Sequence, residues 1–234
     1  MGAEKVQELR ELRVPGLPRY CVCDGGTALE GAQVKDIYLI RHGEATHNVA
    51  PKPWGAELID ARLTETGVQQ AASLVTRVVD LPIEVVIVSP LTRALETATH
   101  GMQPLIERSI PFVIAEECRE QYGKNLPDQR RAVSAVAAEF PLVDWTPMQQ
   151  QPDADTLFTA DREPLDALTL RADRFLDLCM ARPEQHIAVV THSSFLAALL
   201  NAAVRMTDAQ AESAGAWFAN AECRHLQLAR IPDS

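Results

Sequence analysis

Lys35-Asp36-Ile37-Tyr38-Leu39-Ile40 runs directly into Arg41-His42-Gly43-Glu44. The first six residues are the short apolar run of a buried strand, and the glycine marks the turn where it stops. The pattern recurs downstream. Glu84-Val85-Val86-Ile87-Val88 is β-branched and ends at Ser89-Pro90, with Ser as N-cap and Pro at the first position of a helix over about 91–100. His186-Ile187-Ala188-Val189-Val190-Thr191 ends at His192-Ser193-Ser194 and leads into a helix over 195–203. A further short strand is expected over 111–115. Helical spacing places Val68, Ala71, Ala72, Val75 and Val79 on one face of a helix over 64–79, and another helix is expected over 164–181. Residues 216–231 alternate well enough for one or two final strands. Strands alternating with helices predict an α/β fold: a mostly parallel sheet with helices on both faces.

Two segments stand outside this rhythm. Residues 1–33 hold a charged helix candidate over 3–13, two prolines and the Gly25-Gly26 pair, and are expected as an N-terminal arm ahead of a domain over 34–234. Residues 118–163 carry Pro127, Pro141, Pro147, Pro152 and a triple-Gln run, which predicts a long loop insertion around one helix over 130–139. This insertion is expected to act as a lid that shapes substrate choice. Within it, Asp153-Ala154-Asp155 follows Gln-Gln-Gln-Pro rather than an apolar strand and reads as a solvated loop. Trp54, Trp145 and Phe158 could cover a site or simply anchor their loops.

The 234 residues are 47% hydrophobic and 23% charged, enough to bury a sizeable core. A net charge of −10 argues against a nucleic-acid partner and against attachment to an anionic membrane. Eighteen of the 22 basic residues are nonetheless Arg, the side chain suited to gripping phosphate or carboxylate with two parallel hydrogen bonds. No apolar stretch has the length of a membrane span, and the charged N-terminus lacks the core of a signal peptide. Cys21 and Cys23 have no second Cys/His pair near them, and the odd total of five cysteines suits reduced thiols. A cytoplasmic location without cofactor or metal is expected.

In open α/β sheets, ligands sit beyond the carboxyl ends of the strands. Those ends here hold Arg41, His42 and Glu44, then Ser89 and Arg93, then Glu116, Glu117 and Glu120, then His192 and Ser193. Each alone has an ordinary structural reading, but together they form a set. Two guanidinium forks suit a tetrahedral dianion, two imidazoles offer a nucleophile and a donor, and a carboxyl offers a proton for a departing alkoxide. Phosphoryl transfer asks mainly for such positioning and charge neutralisation.

The same residues carry a resemblance. Leu39-Ile40-Arg41-His42-Gly43-Glu44 with Asn48 resembles the R-H-G signature of the histidine phosphatase superfamily, also called the phosphoglycerate mutase-like family. Leu63-Thr64-Glu65-Thr66-Gly67 with Gln70-Ala71, Ser89-Pro90-Leu91-Thr92-Arg93-Ala94 with Thr97, and Val189-Val190-Thr191-His192-Ser193 are similar to its later segments, in order. Cys118-Arg119-Glu120 with Asp128-Gln129-Arg130-Arg131 resembles a plant and fungal branch. The resemblance implies that His42 attacks phosphorus and that Arg41, Arg93 and His192 hold the phosphoryl oxygens. Asn48 and Ser193 would be lesser contacts, with Glu120 as the proton donor and Glu117 as its fallback. It implies a metal-independent phosphatase of small phosphorylated molecules. Two alternatives stand beside it: a phosphoglycerate mutase, and an idle phospho-ligand binder. The mutase's E-R-H-Y-G segment is matched only as Glu120-Gln121-Tyr122-Gly123, which favours hydrolysis.

Overall fold

The computed structural model describes residues 2–23 and 32–232, so the Gly25-Gly26 pair lies outside the described residues. In chain order the elements are α1 Gly2–Glu11, β1 Tyr20–Val22, β2 Val34–Arg41, α2 Thr46–Val49, α3 Glu65–Ser73, α4 Val75–Val78, β3 Val85–Val88 and α5 Thr92–Gly101. They continue with α6 Gln103–Glu107, β4 Phe112–Ile114, α7 Val133–Glu139, α8 Leu165–Ala181, β5 His186–Thr191, α9 Ser193–Ala198, β6 Val204–Arg205, α10 Asp208–Ser213 and β7 Cys223–Arg230. One seven-stranded sheet runs β4-β3-β5-β2-β7-β1-β6. The strands β4, β3, β5 and β2 are mutually parallel, and β7 runs antiparallel to both β2 and β1.

Alternation along the central strands builds two cores. Ile37, Leu39, Val85, Ile87, Ile187 and Val189 face one side, where α1, α8 and α9 bring Leu9, Phe175 and Phe195. Tyr38, Ile40, Val86, Val88, Ala188 and Val190 face the other, against Leu74, Val78, Leu95 and Val136. Strands buried on both faces need near-continuous apolar runs, and these sequences supply them.

Several local expectations change. The helix expected over 64–79 breaks at Leu74 into α3 and α4. Ser89 does not cap α5, whose N-cap is Leu91; the Thr92 N–H is taken by Asp60 Oδ1 at 2.8 Å. The helix expected over 195–203 starts two residues earlier as α9 and ends in a π-helical turn, Leu199–Ala203. The tail forms one strand, β7. The Asp153–Asp155 segment is not simply solvated: Asp153 accepts the Ser134 N–H at the start of α7, and the Asp155 carboxylate is buried against Arg119 at 2.6 Å. In residues 1–33, α1 packs on the core through Val6 and Leu9, and β1 pairs with β7 and β6.

Candidate active site

Three neighbouring central strands, β3, β5 and β2, end side by side and deliver Ser89, His192 and His42. The ladder carries on past the strands: the His42 N–H donates to Thr191 O at 2.9 Å, and the Ser89 N–H to Val190 O at 3.1 Å. His42 and His192 are almost wholly buried, with ring centroids 5.1 Å apart.

Close backbone packing fixes the His42 turn. A Cβ on Gly43 would stand 2.5 Å from Gly67 O, and one on Gly67 would stand 1.9 Å from Glu44 O. Only glycine at both positions lets the turn and the first turn of α3 approach this closely. The Gly43 N–H donates to Thr97 Oγ1 on α5 at 3.0 Å. Within the His42 ring, Nδ1 lies 2.6 Å from Gly43 O, which makes Nδ1 the protonated nitrogen and leaves the Nε2 lone pair free to accept. Arg93 Nε donates to that Nε2 at 3.3 Å. Burial above all, then the charges of Arg93 and Arg41, hold the imidazole well below its usual 6.5. At neutral pH His42 is therefore a neutral, oriented base.

Arg93 on α5 is fully buried and spans the site and the insertion. Its Nη1 donates to Pro127 O at 2.7 Å, and its Nη2 pairs with Asp128 Oδ1 at 2.8 Å. Asp128 also pairs with Arg162 at 2.7 Å, so both ends of the insertion meet at one carboxylate. Burial pushes the Asp128 carboxyl's pKa upward against the opposing pull of Arg93 and Arg162. Arg41 Nη1 donates to Phe218 O at 2.7 Å. His192 Nε2 lies 2.7 Å from Ser89 Oγ, which gives Ser89 a job at the site instead of at the helix cap. Among the described residues, Arg41 Nε and His192 Nδ1 are buried without a hydrogen-bond partner. Buried nitrogens of this kind favour an anionic oxygen as partner.

Glu120 is buried against the start of α9. Its Oε2 accepts the Ser194 N–H at 3.1 Å and lies 3.4 Å from Ser193 Oγ. Its Oε1 accepts the N–H groups of Gln121 at 2.8 Å and Phe195 at 3.2 Å. Arg171 of α8 fixes the backbone here by donating to the carbonyls of Glu117, Arg119 and Glu120. Burial alone would raise the Glu120 pKa, but Lys5, Arg162 and the Gln121 and Ser194 N–H groups together hold it below the usual 4.5. Glu117 lines a separate small cavity of about 130 Å³ with Met148 and Leu178. Asn48 is exposed, and its carboxamide is engaged at both ends, by the Ala45 N–H at 2.9 Å and His47 Nε2 at 3.1 Å.

The structure thus brings His42, His192, Arg41, Arg93, Ser193 and Glu120 together, and sets Asn48 and Glu117 at other tasks. It adds residues to which the sequence reading gave no role. His47 lies buried with its ring centroid 6.0 Å from that of His42, and burial lowers its pKa to about 3. Asp128 and Lys5 also face the site. A His five residues after another carries no periodic signal, and Lys5 lies over a hundred residues from its partners, so neither was visible beforehand. Among the described residues, no three His, Cys, Asp or Glu side chains are grouped as a metal ion would need.

The sequence profile of the histidine phosphatase superfamily (branch 1) matches residues 37–230. Phosphoglycerate mutase-like protein 1 of Arabidopsis thaliana is 34% identical over 231 residues, covering 83% of this chain and 81% of that protein. A probable phosphatase of Schizosaccharomyces pombe is 32% identical over 174 residues, covering 68% of this chain and 74% of that protein. Among solved structures, phosphoglycerate mutase from Bacillus anthracis is 18% identical with a TM-score of 0.57, covering 84% of this chain and 88% of that chain.

Proposed function

Since the chain belongs to the histidine phosphatase superfamily, we propose that it is a metal-independent phosphomonoesterase that acts on small phosphorylated molecules through a phosphohistidine. The carrying observation is the pairing of a neutral His42, its Nε2 oriented by the Nδ1–Gly43 O contact, with two arginines and a second histidine at adjoining strand ends. In this reading His42 Nε2 attacks phosphorus, the P–N bond forms, and the P–O bond to the leaving group breaks. Glu120, ionised in the free protein, takes the acidic proton of a phosphate-monoester monoanion and gives it to the departing oxygen. Water then attacks the phosphohistidine while Glu120 takes one of its protons and passes it to the leaving phosphate, so that P–N breaks, inorganic phosphate leaves, and His42 and Glu120 are both restored. Arg41, Arg93 and His192 balance the charge of the equatorial oxygens.

The phosphoglycerate mutase reading keeps the same first half and differs in the fate of the phosphohistidine. Gln121 follows Glu120 here, and its amide is occupied by Lys5 and by Glu163 O at 2.6 Å each, which favours hydrolysis. The test is turnover of p-nitrophenyl phosphate in EDTA. Wild type is expected to hydrolyse it, and His42→Ala to lose ~10³-fold or more in kcat. Activity retained in the alanine variant would sink the mechanism. An inactive wild type that still binds phosphate would favour a binding protein, and conversion of 3-phosphoglycerate to 2-phosphoglycerate would favour the mutase.

A further inference from the structure

Lys5 reaches the site from α1, a helix that packs on the core beside α9. Val6 and Leu9 of α1 are buried in the core beside α9, and Arg10 Nε donates to Asn201 Oδ1 at 3.0 Å. Lys5 lies one helical turn before Leu9, so it falls on the same side of α1 and meets the start of α9. Its Nζ donates to Gln121 Oε1 at 2.6 Å and to Ser194 Oγ at 3.1 Å. Both partners also hold Glu120. Gln121 gives its N–H to Glu120 Oε1, and Ser194 gives its N–H to Glu120 Oε2.

We propose that Lys5 is a positioning residue of the active site, joining the loop that carries Glu120 to the first turn of α9 and so fixing the place and charge of that carboxylate. The inference rests on the reading of Glu120 as the group that moves the proton, and it makes α1 a working part of the site. Other groups face Glu120 as well: Arg162 and Asp128 from the insertion, Arg41 from β2 and His47 from α2. Arg41 and Arg162 have anchors of their own, at Phe218 O for the first and at Gly123 O and Asp128 for the second. Lys5 instead spends its contacts on two of the three residues whose N–H groups hold Glu120, Gln121 and Ser194. Burial lowers the Lys5 pKa, and the neighbouring carboxylates of Glu120, Asp128 and Glu8 oppose that loss of charge. Lysine and glutamate thus support each other's ionisation.

The experiment is a pH titration of the Glu120 carboxyl by ¹³C NMR in full-length protein, its signal identified by its absence in Glu120→Gln. Lys5→Met is expected to move the midpoint upward by about one pH unit, and Lys5→Arg to leave it near wild type. Lys5→Gln, which keeps a hydrogen-bonding side chain, gives the same reading if Lys5→Met folds poorly. Kinetically, the limb of the kcat/KM profile that Glu120→Gln abolishes should move with the NMR midpoint. The KM for p-nitrophenyl phosphate should change far less than kcat. An unmoved midpoint overturns the proposal, as does a shift in Lys5→Arg as large as that in Lys5→Met. A change confined to KM also overturns it and places Lys5 on the substrate instead. The NMR arm needs no turnover, so a wild type that fails to hydrolyse phosphate defeats the phosphatase reading and leaves this test standing.

Discussion

Arg93 engages three partners with three nitrogens: His42 Nε2, Pro127 O and the Asp128 carboxylate. In the proposed reaction Arg93 holds phosphoryl oxygens beside the nucleophile, which asks that its plane stay fixed, and a buried carboxylate behind it does this well. Asp128 is itself saturated, with Arg93 on one oxygen and Arg162 on the other. Removing one member of such a buried group leaves charge without compensation. Asp128→Ala is therefore expected to lose about 3–5 kcal/mol of stability in urea unfolding and to lower kcat/KM through a misaligned Arg93. A variant with wild-type stability and activity would show that Asp128 supports neither. Of this group, Arg93 was legible from its place after Ser89-Pro90. Asp128 was visible only as part of a resemblance, because what it does depends on a contact with Arg93 thirty-five residues earlier.

At the level of elements, the decisive contact is the one between the His42 turn and α3. Two glycines from different motifs meet there, backbone to backbone, and neither has room for a Cβ. The neighbouring atoms are carbonyl oxygens that cannot swing aside like a flexible side chain, so Gly67→Ala must push α3 from the turn. The expected cost is about 1–3 kcal/mol by chemical denaturation, with loss of activity greater than the stability change explains. Full activity in Gly67→Ala would show that the turn tolerates the displacement. The long apolar strands were legible because burial on both faces demands continuous apolar sequence. Strands of two or three residues, such as β1 and β6, give no periodic signal, and they form because β7 and each other offer partners. The start of α5 departs from the local pattern for a similar reason: its capping carboxylate comes from Asp60, thirty-two residues upstream.

Across the whole molecule, the site concentrates three neutral histidines in the interior. Burial is the largest cause of the lowered pKa at His42, His47 and His192, and the charge of Arg93 adds to it at each. In the unfolded chain these groups bind protons near 6.5, whereas the folded protein resists doing so until well below that. Stability from this source is present above about 6.5 and is lost as pH falls toward the folded value, about 3 for His47. The melting temperature should fall through that window, and His47→Gln should fall less steeply than wild type. Parallel curves for the two proteins would show that His47 does not contribute. The net charge of −10 is compatible with an anion site, since Arg41, Arg93, Arg162 and Lys5 all act on the same few buried groups.

The sequence by itself determined the α/β architecture, the order of the main strands and the presence of His42, Arg41, Arg93 and His192 at their ends, because those features follow from local patterning and from what a strand terminus can present. Only the tertiary structure decided which carboxylate stands beside the histidines. Glu120 and Glu117 lie three residues apart in one short segment, and nothing local separates them. Arg171 of α8 and the first turn of α9 hold Glu120 at the site, while Glu117 lines a separate cavity. The same holds for Lys5, whose place beside Glu120 depends on α1 burying Val6 and Leu9 against a helix nearly two hundred residues further along the chain. Contacts between segments so far apart are set by how the cores pack, and no window of sequence contains them.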